Sequence, residues 1–192
     1  LHEAGHGRLQ SFPSIPRVTE IYGNRDIGER IKGVRLLVLD FDGVLTSNDV
    51  WTDSGGNEMV RSWRGDGIGI TRLREEFGIA VIMITSEGRV DTAAGPALRR
   101  AEKLSVPCLY ARADKLKVLK ENAVWVDLSA IAYIGNDVND LSCMEAVGLP
   151  IAVADAHPSV LKAALWITKK AGGYGAVREV CDVIAEVRNG NN

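Results

Sequence analysis

The stretch Val34-Arg35-Leu36-Leu37-Val38-Leu39-Asp40-Phe41-Asp42-Gly43 decides the fold. A nearly continuous apolar run ends abruptly in two carboxylates and a glycine. Continuous rather than alternating apolar residues mark a strand covered on both faces. Three further runs have the same texture: Ile79–Ile84, Ile131–Ile134 and Leu149–Val153. Between them lie segments of helical spacing, over 66–77 (Ile68, Ile70, Leu73 and Phe77 expected on one side), 114–122 and 137–147. Strand and helix in alternation predict an α/β fold, a doubly wound parallel sheet with right-handed crossovers. The exception is 45–63, where Gly55-Gly56 divides two short extended segments and predicts a β-hairpin standing off the sheet as a flap.

In such a sheet, ligands bind beyond the carboxyl ends of the strands. The first run ends in Asp40 and Asp42, the second in Thr85-Ser86-Glu87, and the third in Gly135-Asn136-Asp137 with Asp140 a turn later. Acidic groups and hydroxyls therefore converge on one edge. Clustered carboxylates repel one another unless a cation offsets them. Oxygen ligands without neighbouring His or Cys favour a hard cation, Mg2+ above all. A carboxylate beside Mg2+ is able to attack phosphorus, and a second one two residues on is able to serve as acid and base. Lys115, at an expected helix start, is placed to hold a transferring phosphoryl group.

Composition narrows the alternatives. The chain has 192 residues, 46% hydrophobic and 25% charged, enough for a core of its own. Its net charge of -2 supplies no basic excess for nucleic acid or for a membrane surface. Apolar runs of about six residues fall far short of the roughly 20 that span a bilayer. Three scattered Cys, with no CxxC, favour a reducing, cytoplasmic setting over a disulfide framework. Residues 1–33, rich in Gly, Arg and Pro without a sustained apolar period, read as an irregular N-terminal arm ahead of a domain over 34–188. Within that arm His2-Glu-Ala-Gly-His6 matches the HExxH zinc pattern, but it holds a Gly and no third ligand is evident, so it reads as accidental. Gly65-Asp-Gly-Ile-Gly69 lacks the strand and spacing of a dinucleotide site.

Asp40-Phe-Asp-Gly-Val-Leu-Thr46, Thr85, Lys115 and Gly135-Asn-Asp-Val-Asn-Asp140 together resemble, in order, the four motifs of the haloacid dehalogenase superfamily of phosphohydrolases. The resemblance implies a Rossmann-like hydrolase core with Asp40 as nucleophile and Asp42 as acid/base. It further implies Mg2+ on the Asp40 carboxylate and the Asp42 carbonyl, and Thr85 and Lys115 on the phosphoryl group. Asn136 and Asp137 are the further metal candidates and Asp140 supports them. The gaps of 45 residues from Asp40 to Thr85 and 30 from Thr85 to Lys115 leave no room for a cap domain.

Capless spacing is similar to the branch of 3-deoxy-manno-octulosonate 8-phosphate phosphatases over about 34–187, as are Ala152–Pro158 and Gly172–Glu179. That branch implies a homotetramer with the hairpin at the interface, where Trp51 and Trp63 would be anchors. Ser86-Glu87 and Leu98-Arg-Arg100-Ala-Glu-Lys103 look instead like nonulosonate 9-phosphate phosphatases and the C-terminal domain of acylneuraminate cytidylyltransferases. This implies that Glu87, Arg100 and Lys103 contact a sugar-acid substrate, with Asp66 a further candidate. Two residues depart from the pattern: Asn136 stands where the family has Asp, and Tyr174 where the octulosonate enzymes often have Arg. The expected activity is hydrolysis of a 2-keto-3-deoxy sugar-acid phosphate through an aspartyl-phosphate intermediate, with the nonulosonate 9-phosphate favoured slightly over the octulosonate 8-phosphate. The competing expectation is a non-catalytic oligomerisation domain associated with an acylneuraminate cytidylyltransferase.

Overall fold

The computed structural model describes residues 25–86 and 95–190. Six strands form one parallel sheet in the order β5-β4-β1-β6-β7-β8. They are β1 (Leu36–Leu39), β4 (Ala80–Thr85), β5 (Cys108–Tyr110), β6 (Ile131–Gly135), β7 (Leu149–Ala152) and β8 (Trp166–Ile167). The hairpin β2 (Thr46–Thr52) and β3 (Glu58–Ser62) forms a separate antiparallel pair. All four apolar runs become strands, and β1 is buried along its whole length, as its pattern requires.

Crossovers running left from β1 use α2 (Arg64–Phe77) and α3 (Pro96–Leu104). Those running right from β6 use α5 (Leu141–Ala146) and α6 (Pro158–Ala163). The return from β5 to β6 carries α4 (Lys115–Asn122). Right-handed connections in opposite directions place helices on both faces of the sheet. The final helix α7 (Ala176–Arg188) packs along α2, and Gly69 permits the approach: a Cβ there would lie 2.8 Å from Cys181 Cβ. Among the described residues, only the hairpin and α2 separate β1 from β4, so no cap domain sits there.

Two expectations are corrected. Residues 25–33 are not an irregular arm but a helix, α1 (Arg25–Gly33), packed against α7. Ile27 and Ile31, one turn apart, are buried in the core, and Arg30 Nη1 donates to the Gly148 carbonyl at 2.7 Å. Two apolar residues at i,i+4 suffice to fix a helix once a core receives them. Ile68 does not share the buried face of α2. It is 62% exposed, whereas Ile70 and Leu73 are fully buried. The HExxH match at residues 2–6 lies outside the described residues.

If α1 belongs to the domain, Ile31→Ala should cost about 2–5 kcal/mol, the usual range for such a core truncation. Urea unfolding measures this, and an arm merely resting on the surface would leave the midpoint unmoved.

Candidate active site

The register of the sheet assembles the site. Leu39 is level with Met83 on one side and Ile134 on the other. Asp40 comes next on β1, and Thr85 and Asn136 come one residue beyond its level on β4 and after β6, so all three emerge at the carboxyl edge. The strand order, built leftward from β1 and rightward from β6, reverses between these two parallel strands, and such switch points open a crevice. Asp40 continues the ladder by donating its N–H to the Ile134 carbonyl at 3.1 Å. The chain then turns sharply through Gly43 (φ 76°), a conformation that costs other residues. The Thr46 hydroxyl closes the turn. It accepts from the Gly43 N–H at 3.3 Å and donates to the Phe41 carbonyl at 3.2 Å.

Asp40, Thr85, Lys115 and Asp140 are all buried. Lys115, the first residue of α4, is positioned by Asp114, whose carboxylate caps the helix at the Lys117 N–H (2.9 Å). The Lys115 ammonium is shared between Asp40 Oδ1 at 2.7 Å and Asp140 Oδ1 at 2.8 Å. Asp140 is fully enclosed and also accepts from Tyr133 Oη (2.7 Å) and the N–H groups of Asn136 (2.9 Å) and Asp137 (3.3 Å). Burial opposes the charge on Lys115, yet the two carboxylates hold its ammonium above the ordinary lysine range. Asp40 is less well compensated. Burial, then repulsion from Asp140, pushes it up to about 7 despite Lys115.

Asn136 is buried and, among the described residues, its Oδ1 has no hydrogen-bond partner. A Cβ at Gly43 would come within 2.0 Å of Asn136 Nδ2, so this amide lies directly on the turn after Asp40. Among the described residues, no three His, Cys, Asp or Glu side chains gather into a metal cluster. The donor set at this edge is instead oxygen from Asp40, the adjoining turn and an unpartnered amide. That set fits a hard divalent cation.

Other expected site residues fall elsewhere. Asp137 turns outward, is exposed, and caps its own helical turn at the Val138 N–H (2.7 Å). Asp42 is half-buried on the turn. Arg100 and Lys103 do share a groove of about 350 Å3 with Arg64 and Ile68, along the seam of α2 and α3. Arg100 Nη2 donates to the Trp63 carbonyl at 2.9 Å, while its Nε is buried without a partner among the described residues. Glu87 lies outside the described residues. Asp66 is fully buried, and its Oδ1 accepts the Arg178 N–H at 2.9 Å, joining α2 to α7. The first turn of α2 points inward there because α7 covers it.

Fold and site together define a Rossmann-like α/β hydrolase core built around a carboxylate–lysine–carboxylate centre. The model of haloacid dehalogenase-like hydrolases matches residues 109–180. The chain is 36% identical over 165 residues to the 3-deoxy-D-manno-octulosonate 8-phosphate phosphatase of Escherichia coli, covering 83% of each chain. It is similar to the crystal structure of the Yersinia pestis phosphatase of that name, with TM-score 0.78 and 36% identity over 86% of this chain and 88% of the other. It is similar also to the Moraxella catarrhalis phosphatase of that name, in complex with magnesium ion, phosphate ion and a KDO molecule (TM-score 0.76, 32% identity, 85% and 92% covered). The chain belongs to the haloacid dehalogenase-like hydrolases.

Three residues at the site, Tyr133, Asp155 and Arg61, were not among the expected functional side chains. Tyr133 was legible as one polar atom in an otherwise aliphatic strand, Ile131-Ala-Tyr-Ile134. Asp155 and Arg61 contact the loop at Gly172–Tyr174 from distant parts of the chain.

The Asp66 carboxyl is raised to about 7, chiefly by burial. An acid whose folded value exceeds its unfolded one binds more protons when folded between about pH 4 and 7. It therefore subtracts stability progressively as pH rises through that window. Asp66→Asn keeps an acceptor for Arg178 and removes the charge. It is expected to leave stability unchanged at pH 4 and to raise it by roughly 1–3 kcal/mol at pH 8. Parallel urea titrations of the two proteins check this, and equal differences at both pH values would refute it.

Proposed function

We propose that this chain is a Mg2+-dependent phosphatase that hydrolyses a 2-keto-3-deoxy sugar-acid phosphate through an aspartyl-phosphate intermediate. The observation that carries the reading is the buried Asp40, held by Lys115 at the tip of the central strand. It lies in a chain 36% identical to octulosonate 8-phosphate phosphatases. Asp40 attacks phosphorus, and a bond from its carboxylate oxygen forms as the ester oxygen departs. Asp42 gives that oxygen a proton, then takes one from the water that attacks the acyl phosphate and restores Asp40. Lys115 and Thr85 hold phosphoryl oxygens as charge gathers on them. Asp40, the Asp42 carbonyl and Asn136 would hold Mg2+, which supplies charge neutralisation when bound.

The similarity to octulosonate phosphatases favours an eight-carbon substrate. The groove at Arg64, Arg100 and Lys103 supports the second reading, a nonulosonate 9-phosphate, because a guanidinium pairs readily with a sugar-acid carboxylate. We place the assembly as a homotetramer joined through the hairpin. Trp51 (51% exposed) and Trp63 (42%) stand there on an element too small to bury them itself.

A phosphate-release assay with both sugar-acid phosphates and Mg2+ tests the reading, and no release from either ends it. Asp40→Asn is expected to lower turnover by about three orders of magnitude or more, since the attacking oxygen loses its charge. Asn136→Asp restores a charged ligand and is expected to tighten Mg2+ binding about tenfold, read by isothermal titration. Unchanged affinity would remove Asn136 from the ligand set.

A further inference from the structure

The loop Ala171-Gly172-Gly173-Tyr174-Gly175 lies against the catalytic turn, backbone on backbone. A Cβ at Gly172 would sit 1.8 Å from the Gly43 carbonyl oxygen, and one at Gly173 2.0 Å from Ser47 N. Only residues without side chains allow such an approach. The Gly173 N–H donates to the Val44 carbonyl at 3.0 Å, so loop and turn are also hydrogen-bonded.

Two side chains hold this loop from opposite sides. Asp155, after β7, accepts the Gly172 N–H on Oδ1 at 2.9 Å. Arg61, on β3 of the hairpin, donates from Nη1 to the Gly173 carbonyl at 3.3 Å. The same guanidinium lies 3.9 Å above the Tyr174 ring, a stacked cation–π geometry. Arg61 makes no ion pair among the described residues.

The segment carrying Asp155 reaches the other half of the site as well. His157, two residues on, donates its N–H to the Asn136 carbonyl at 2.7 Å. One continuous bracket thus runs from Asn136 through His157 and Asp155 to Gly172 and Gly173, and on to Val44. Its ends are the two segments that the reaction must keep in register: the turn bearing Asp40 and Asp42, and the residue after β6.

We infer that Asp155 and Arg61 are positioning residues, which hold Gly172-Gly173 on the catalytic turn and so fix Asp40 and Asp42 relative to Asn136. Neither acts on the substrate. The inference deepens the phosphatase reading of this site and rests on it. Displacing reacting groups by a fraction of an ångström lowers the chemical step without weakening binding.

The experiment uses the full chain with Mg2+ and p-nitrophenyl phosphate, an ester that needs no sugar-acid recognition. Asp155→Ala and Arg61→Met are each expected to lower kcat about tenfold with KM within about twofold. Asp155→Asn, which keeps the acceptor, is expected to recover most of the Asp155→Ala loss, and Tyr174→Phe, which keeps the ring under Arg61, to leave kcat within about twofold. The double variant Asp155→Ala/Arg61→Met should fall short of the product of the two losses, since both act on one loop. Hydrogen exchange without substrate supplies a second readout. Amides over 43–47 and 172–173 are expected to exchange about tenfold faster in the alanine and methionine variants, while those of β1 and β6 are unchanged. A rise in KM at constant kcat would make these residues substrate contacts and overturn the inference. So would unchanged kcat and exchange, or faster exchange across the whole chain, which would mark a general stabilising role. Failure of the sugar-acid reading alone would appear as turnover of p-nitrophenyl phosphate without turnover of either sugar-acid phosphate. The positional comparison would still stand.

Discussion

One buried ammonium organises this molecule. Lys115 lies between Asp40 and Asp140, all three nearly inaccessible to water. Desolvating one unpaired charge of this kind costs several kcal/mol, so each of the three requires the other two. Asp140 is the fixed member. A phenol, two backbone N–H groups and the ammonium together surround its oxygens. Asp40 is the incompletely balanced one, and its elevation to about 7 expresses that imbalance. A buried carboxylate so poorly compensated is stabilised by any further positive or electrophilic neighbour.

The topology explains how three distant residues meet. β1 lies at the centre of the sheet and the winding reverses beside it, so the connections from β1 and β6 diverge and leave their ends uncovered. Equal register brings Asp40 and the loop after β6 to one level. α4 returns from the far edge and starts with Lys115, because the crossover from β5 must pass behind β4 and β1. A slip of one residue in β1 would turn Asp40 to the opposite face and break the triad. The fully apolar strand, buried along both faces, is thus also the device that aims the carboxylate.

How much of this was readable in the chain follows from the range of the interactions. The four central strands came from contiguous apolar runs, and the turn at Asp40–Thr46 from a local pattern whose hydroxyl and glycine close it. Lys115 and Asp140 were legible because the segments preceding them were. What failed was non-local. α1 carries two core residues in a polar segment, and nothing local shows that a groove receives them. Asp66 looks like an exposed carboxylate at a helix start until α7, more than a hundred residues later, covers it. Arg61 and Tyr174 are likewise far apart in sequence, and their stacking depends on where the hairpin base stands relative to α7. The two-residue strand β8 is too short to carry any pattern.

The charge at the site edge bears on the proposed reaction. Asp40 and Asp140 together exceed the single charge of Lys115, and Asp42 adds to the excess. A phosphate monoester dianion would be repelled by these residues alone, whatever the merits of the nucleophile. Two features moderate the repulsion within the chain itself. Asn136 offers an oxygen without a charge, and Asp137 directs its carboxylate outward to a helix cap. They reduce the negative field but do not reverse it. A divalent cation would reverse it, and the same negative field that repels phosphate would draw that cation in. A neutral amide at position 136 leaves this edge one charge less negative toward an incoming phosphate than a carboxylate there would.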